Sequence, residues 1–116
     1  MNYSLRDLEY KSDGKWTLTF KRVRVDAYSR FQTEFCNFPD DYYTEQGLDT
    51  NKMSNAEIQK LLDSSFEFML ANLIKAEHKE EGEASKDKFD VILSFVWEEP
   101  DFIEWSKGYR NGEKKT

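Results

Sequence analysis

The sequence KSDGKWTLTF, residues 11–20, determines much of the expected fold. Ser12-Asp13-Gly14 is typical of a tight turn, because Asp and Gly tolerate the positive φ angles that such turns need. After the turn, Trp16, Leu18 and Phe20 alternate with polar residues, a period of two that places the apolar side chains on one face of a strand. The stretch therefore predicts an antiparallel β-hairpin.

The expected hairpin joins residues 3–10 to residues 15–25, but the alternation changes phase near Lys21-Arg22. Either a bulge at this point restores a single buried face, or the strand crosses between two environments. A third β-like stretch over residues 31–38 would extend the hairpin into a short meander.

A helix is predicted in the middle of the chain, after a loop over residues 37–53 that is rich in turn-forming residues. Ser54 is the expected N-cap, and Glu57 lies where it can complete a capping box. Apolar residues then recur every three or four positions, which predicts a helix from residue 55 to about residue 79. The stripe consists of Ile58, Leu61, Leu62, Ser65, Phe66, Met69, Leu73 and Ala76. Its breadth indicates contacts on more than one side.

The apolar stretch over residues 89–97 is compatible with two structures. Its apolar residues alternate as in a buried strand, whereas its polar residues recur every three or four positions as in a helix. The polar positions fall within one narrow helical sector, so we favour a mostly buried helix. Pro100 suits the first turn of another short helix over residues 99–107, and the polar, basic residues 108–116 are expected to form a flexible tail.

A length of 116 residues, with 38% hydrophobic and 16% aromatic residues, fits one folded domain. We predict the α+β class, with an N-terminal antiparallel β-hairpin or short meander followed by two to three helices. The domain is expected to span residues 1–107. No stretch approaches the ~20 consecutive apolar residues of a membrane span, and no secretory leader is recognisable. We therefore expect a cytoplasmic protein.

The net charge of −6 is unevenly distributed: residues 1–33 carry +3, residues 34–105 carry −12 and residues 106–116 carry +3. An acidic surface repels nucleic acid and membrane phosphates, and it attracts basic partners over a Debye length of ~8–10 Å. The basic stretch over residues 21–24, with Arg30, is the one candidate for phosphate contact, because nearby aromatic residues would complete a platform for single-stranded nucleic acid. These aromatic residues are Trp16, Phe20, Tyr28 and Phe31. Given the overall acidity, we favour the alternative, the charged edge or face of a strand. Direct binding to nucleic acid or membranes is not expected.

The sequence contains no motif of a common enzyme class: no GxGxxG, Walker loop, HExxH or GxSxG is present. The single cysteine, Cys36, excludes an intramolecular disulfide and is expected to be a small buried hydrophobe. His78 lies among charged residues without a nucleophile nearby, and we expect it to be solvated. Paired carboxylates could bind a metal only if a cleft brought them together. We predict a non-enzymatic protein with no catalytic residues, cofactor or metal.

Acidic and aromatic residues are interleaved in two segments, residues 38–45 and 97–105. Tyr and Trp bury area at low entropic cost, and carboxylates around them steer toward Lys- and Arg-rich partners. The simpler alternative is core aromatics beside solvated loop acids. The predicted partner-binding residues are Asp40, Asp41, Tyr42, Tyr43, Glu45, Glu98, Glu99, Asp101 and Trp105.

These features suggest three hypotheses of function. The first is an acidic protein-binding protein that blocks a basic, nucleic-acid-handling partner; in size and charge alone the chain is similar to phage and mobile-element inhibitors of the anti-CRISPR or anti-defence type, and to toxin-immunity proteins. The second is a phage structural or assembly accessory protein of the tail-assembly type, self-associating as a homo-oligomer through the helix over residues 55–79. The third is a small metal-dependent enzyme that uses paired acids.

Overall fold

Strands and helices are interspersed along residues 8–112, the part of the chain that the computed structural model describes. The strands are β1 (Leu8–Ser12), β2 (Trp16–Phe20), β3 (Tyr43–Thr44), β4 (Gly47–Leu48), β5 (Leu73–His78) and β6 (Gly82–Glu83). The helices are α1 (Ala27–Cys36), α2 (Asn55–Asn72), α3 (Phe89–Trp97) and α4 (Pro100–Arg110). The predicted α+β class, with an N-terminal antiparallel hairpin ahead of the helices, is confirmed, but residues 8–112 contain four α-helices instead of the expected two to three.

The β1–β2 hairpin forms where the turn sequence predicted it. Asp13 and Gly14 adopt positive φ angles of 39° and 70°, and the Lys15 N–H donates to the Ser12 carbonyl at 2.8 Å. Leu18 and Phe20 are fully buried on the inner face. The second strand ends at Phe20, so both expectations for a strand continuing to residue 25 are wrong.

The hairpin belongs to a four-stranded sheet in the order β1-β2-β5-β6, with antiparallel pairing throughout. A bulge does occur, but it lies in β5: Thr19 pairs with Lys75 and Phe20 pairs with Leu73, which leaves Ile74 as the extra residue. Because of this bulge, Leu73 and Ala76 are both buried although they lie three positions apart.

Residues 31–38, predicted as a third strand, lie mostly in helix α1. Its aromatic residues are spaced for a helix: the rings of Tyr28 and Phe31 pack against Phe68 at 5.1 and 5.4 Å, and the ring of Phe35 stacks on that of Phe31 at 5.7 Å. The helix ends at Asn37, which adopts the left-handed conformation. Spacings of three and four residues between aromatic side chains therefore determine this element.

Helix α2 begins as predicted but ends early. Ser54 and Glu57 form the capping box, whereas the chain leaves the helix after Asn72 and becomes strand β5 instead of continuing to residue 79. No glycine or proline marks this end. The Asn72 carbonyl accepts the Lys21 N–H at 2.8 Å, and pairing with β2 stabilises an extended conformation that local sequence does not favour.

The stretch over residues 89–97 is a helix, as favoured, and Pro100 occupies the first turn of α4.

Helices α2, α3 and α4 pack on the inner face of the sheet, while the opposite face carries the exposed charged residues Glu9, Lys11, Lys75 and Glu77. The core of this layer contains Tyr10, Leu18, Phe20, Phe68, Met69, Leu73, Ala76, Phe89, Ile92, Leu93, Val96, Phe102 and Tyr109. A second, smaller cluster contains Cys36, Phe38 and Met53, with Tyr42, Leu48, Ile58 and Leu61 packed against it.

Residues 108–110, which we assigned to a tail, instead complete helix α4. Tyr109 is buried and its hydroxyl donates to the Lys21 carbonyl. Gly112 adopts a φ of 75°, and a Cβ atom at this position would lie 2.4 Å from the Val25 Cα atom. The close approach requires glycine here, so the fold extends to Gly112, and the rest of the expected tail, residues 113–116, lies outside the described residues.

Within residues 8–112, the helices are all too short or too polar to cross a membrane.

Candidate functional site

The first acidic–aromatic segment lies in residues 38–49, which we call the acidic loop. A short 3₁₀ turn over Asp40–Tyr42 leads into the two-residue strands β3 and β4, which pair as a small hairpin. The Asp49 N–H donates to the Tyr42 carbonyl at 2.7 Å, and the Lys52 ammonium group donates to the Asp41 carbonyl at 2.8 Å. Internal hydrogen bonds therefore fix the backbone of the acidic loop.

Tyr42 attaches the acidic loop to helix α2. Its hydroxyl donates to both carboxylate oxygens of Glu57, at 3.1 and 3.0 Å, and its ring packs against Phe38 at 5.9 Å. Glu57 also accepts the Ser54 N–H at 2.9 Å. The hydrogen bonds from Ser54 and Tyr42 hold the pKa of the Glu57 carboxyl below its ordinary value. Tyr42, predicted to bind a partner, thus has a structural role in the described molecule.

The other predicted residues of the acidic loop lie at its surface. Asp40, Asp41 and Glu45 are exposed, and none of their carboxylates forms an ion pair or hydrogen bond within residues 8–112. The Tyr43 side chain is 37% exposed. A shallow groove beside it is lined by Thr44, Glu45, Gln46, Leu48, Asp49 and Thr50. Negative charge and an accessible aromatic ring therefore occur together on a backbone of fixed shape.

The second segment, residues 97–105, lies at the junction of α3 and α4, where neighbouring carboxylates have different surroundings. Glu98 and Asp101 are exposed. Glu99 is half-buried and accepts hydrogen bonds from the hydroxyls of Tyr10, at 2.9 Å, and Ser12. Burial and the Glu99 carboxylate raise the pKa of the Tyr10 hydroxyl above its ordinary value. Glu99 therefore joins the start of α4 to strand β1.

Trp105 is half-buried and packs against the hydrophobic core. Its ring stacks with that of Tyr109 at 5.3 Å and contacts the rings of Phe20 and Tyr10 at 5.4 and 5.5 Å. Residues 102, 105 and 109 share one face of α4, so this aromatic face packs on the sheet. For Trp105 the simpler interpretation, an ordinary core aromatic residue, agrees with these contacts.

The two segments lie on different parts of the hydrophobic interior. The acidic loop packs on the smaller cluster through Phe38 and Tyr42, whereas residues 97–105 pack on the larger cluster through Phe102 and Trp105. Of the nine predicted residues, the structure leaves accessible Asp40, Asp41, Tyr43, Glu45, Glu98 and Asp101, while Tyr42, Glu99 and Trp105 make the structural contacts described above.

Two exposed apolar residues were missed by the sequence analysis. Val91 and Phe95 on α3 are each 67% exposed, although the helix was expected to be mostly buried. The sequence does indicate this exposure. At 100° per residue, Val91 and Phe95 fall beside the polar sector of the helix that contains Ser94 and Glu98.

His78 and Cys36 are both involved in local structure. The Nδ1 atom of His78 accepts the N–H groups of Glu80 and Glu81 at 3.1 and 3.2 Å, and its ring contacts Trp16 at 4.8 Å. His78 is thus part of the β5–β6 turn rather than solvated. Cys36 is buried, as predicted, and burial raises the pKa of its thiol. Among residues 8–112, no three His, Cys, Asp or Glu side chains are grouped to hold a metal ion.

The basic stretch over residues 21–24 lies beyond the end of β2, so its interpretation as part of a strand is wrong. Arg24 and Arg30 both approach the Asp26 carboxylate, at 3.8 and 3.1 Å. Part of this positive charge is therefore balanced within the chain.

Comparison with known proteins gave no match, whether to protein-family models, to curated protein sequences or to solved structures.

Proposed function

We propose that the protein is a non-enzymatic binding protein that uses the acidic loop to engage and block a basic, nucleic-acid-handling partner in the cytoplasm. The observation that carries the proposal is the set of exposed carboxylates of Asp40, Asp41 and Glu45, which have no ion-pair partner within residues 8–112. Carboxylates that are free in the folded chain can pair with Lys and Arg of a partner without first breaking internal contacts.

The fixed backbone of the acidic loop supports this proposal. A loop that is already ordered loses less conformational entropy on binding than a flexible one. The Tyr42–Glu57 and Lys52–Asp41 hydrogen bonds provide this order. Exposed Tyr43 supplies an aromatic anchor among the charges. Glu98 and Asp101 are further exposed carboxylates, at the other segment.

The alternative of a self-associating assembly protein has less support from helix α2. Phe68 and Met69 of this helix are buried in the main core, and the strand β5 takes the place of the last predicted turns. Leu62, which is 53% exposed, is the main apolar side chain of the predicted stripe that remains accessible.

The proposal is tested by affinity purification of the protein from its native host, comparing wild type with the double variant Asp40→Lys/Asp41→Lys. The matched control is Glu34→Lys/Glu67→Lys, which makes the same change of charge at exposed helix positions without described contacts. Wild type and control are expected to retain a basic nucleic-acid-handling protein and to inhibit its activity when added back. The acidic-loop variant should lose at least about tenfold of this capture and inhibition.

Increasing salt should weaken the complex, because screening shortens the Debye length. Equal capture by the acidic-loop variant, or capture that is insensitive to salt, would contradict the proposal.

A further inference from the structure

Helix α3 presents two apolar side chains to solvent. Val91 and Phe95 lie one helical turn apart, so their side chains are neighbours on the helix surface, and each is 67% exposed. The opposite side of the same helix is core: Leu93 and Val96 have no exposed surface. Single exposed apolar residues need no explanation, whereas a valine and a phenylalanine side by side on one helix face form a small contiguous apolar patch.

Carboxylates surround this apolar pair. Asp87 lies in the 3₁₀ turn Lys86–Lys88 that leads into α3, four residues before Val91, and Glu98 is the C-cap of α3, three residues after Phe95. The two carboxylates therefore flank the apolar pair at the two ends of the helix. Both are exposed, and neither forms an ion pair or side-chain hydrogen bond within residues 8–112. Lys88 lies at the other edge of the pair. The α3 face, defined as Asp87, Val91, Phe95 and Glu98, is therefore apolar at its centre and acidic at both ends.

We propose that the α3 face binds an amphipathic polypeptide segment of a partner protein, one that presents apolar side chains flanked by Lys or Arg. Apolar contact with Val91 and Phe95 would provide affinity, and the carboxylates of Asp87 and Glu98 would pair with the basic residues and set the orientation. The inference rests on the proposed function in one respect, that the protein acts by binding a basic polypeptide. It adds a second surface, formed by an element separate from the acidic loop.

The negative charge of the α3 face favours a basic polypeptide segment over two other binding partners, a second copy of this chain and an anionic membrane surface. A second copy that met the α3 face with its own α3 face would bring the same carboxylates to the interface, and like charges across an interface are destabilising. An anionic membrane surface would be repelled by Asp87 and Glu98 in the same way. An amphipathic basic segment would contact the apolar centre of the α3 face and pair with the carboxylates at its two ends.

The test uses two synthetic helical peptides of about 15 residues. In the first, leucines form one face and lysines the other; in the second, glutamate replaces each lysine. Titration followed by amide chemical shifts is expected to show saturable binding of the leucine–lysine peptide, with the largest shifts on residues 87–98. The leucine–glutamate peptide should not bind. Val91→Ser/Phe95→Ser should weaken the binding of the first peptide at least about tenfold.

The charge contribution is measured with Asp87→Lys/Glu98→Lys, which should weaken binding of the leucine–lysine peptide and permit binding of the leucine–glutamate peptide. Glu34→Lys/Glu67→Lys, which makes the same change of charge at exposed helix positions without described contacts, is the matched control and should leave both titrations unchanged. Thermal unfolding checks that each variant is folded. The inference is overturned if the lysine peptide fails to bind, gives its largest shifts outside residues 87–98, or binds Val91→Ser/Phe95→Ser as tightly as wild type.

These outcomes are separate from those of the proposed function. If the peptide fails to bind but partner capture still depends on Asp40 and Asp41, the proposal for the α3 face is wrong and the proposed function of the acidic loop is retained. If the peptide binds at α3 but partner capture is unchanged by Asp40→Lys/Asp41→Lys, the proposed function of the acidic loop is wrong and the proposal for the α3 face is retained.

Discussion

The segments over residues 38–45 and 97–105 have similar compositions, with acidic residues beside aromatic ones, but the fold uses them differently. In the first, most of the charged and aromatic side chains remain at the surface, and Tyr42 alone of the predicted residues is fixed by a described side-chain hydrogen bond. In the second, Trp105 packs against the main core, and the Glu99 carboxylate accepts hydrogen bonds from the hydroxyls of Tyr10 and Ser12 on β1. Composition therefore identifies both segments without indicating which of them is available to a partner.

The difference follows from the backbone that each segment adopts. Residues 100–110 form a helix, so residues spaced by three and four positions share one face, and Phe102, Trp105 and Tyr109 pack together on the sheet. The acidic loop has a short turn and a small hairpin, whose side chains point in several directions. The aromatic residues of α4 are thus packed against the core by their shared helical face, whereas Tyr43 in the short surface hairpin remains accessible.

The largest expected effect of this difference is on stability. Trp105→Ala should lower the free energy of unfolding by about 3 kcal/mol, because it removes a large aromatic side chain from the main core. Tyr43→Ala should change it by no more than about 0.5 kcal/mol, as for most surface substitutions. Urea unfolding followed by circular dichroism measures both. Equal losses from the two variants would show that the segments do not differ in the way described.

A smaller effect is expected within the second segment, between adjacent carboxylates. Glu99→Ala should cost about 1–3 kcal/mol of unfolding free energy, because it leaves the buried hydroxyls of Tyr10 and Ser12 without their acceptor. Glu98→Ala removes the same charge from an exposed position and should have an effect within about 0.5 kcal/mol. A double variant, Glu99→Ala with Tyr10→Phe, should lose less than the two single effects added together.

If Glu98→Ala were as destabilising as Glu99→Ala, the assignment of Glu99 as the residue that joins α4 to β1 would be wrong.

Local signals were sufficient for the elements whose sequence and environment agree. The β1–β2 turn, the capping box at Ser54 and the helix start at Pro100 depend on neighbouring residues only, and each was predicted. The end of α2 was not predictable in this way. Leu73 and Ala76 satisfy the helical spacing of the residues before them, yet their strand conformation is stabilised by pairing with β2, more than fifty residues earlier in the sequence.

The same reasoning separates the site residues that sequence could identify from those it could not. The exposure of Asp40, Asp41 and Glu45 follows from a polar loop. The burial of Glu99 does not, because its hydrogen-bond partners Tyr10 and Ser12 lie 89 and 87 residues away in sequence. Helix α1 is a different case, since the spacing of its aromatic residues was present in the sequence but was outweighed by the expectation of a meander.

The smallest expected effect concerns the way the acidic loop is held, through Glu57. The hydrogen bonds from Ser54 and Tyr42 lower the pKa of this carboxyl in the folded chain, so its contribution to stability is present above the unfolded pKa of 4.5 and is lost as the pH falls through the lower folded value. Glu57→Gln should therefore reduce the dependence of unfolding free energy on pH in this acidic range. The control is Glu45→Gln, on the same loop and without described side-chain contacts. Its unfolding free energy should depend on acidic pH in the same way as that of the wild type. If both variants followed the wild-type curve, the Tyr42–Glu57 contact would not hold the acidic loop in solution, and its surface would be as mobile as the composition of residues 37–53 alone suggests.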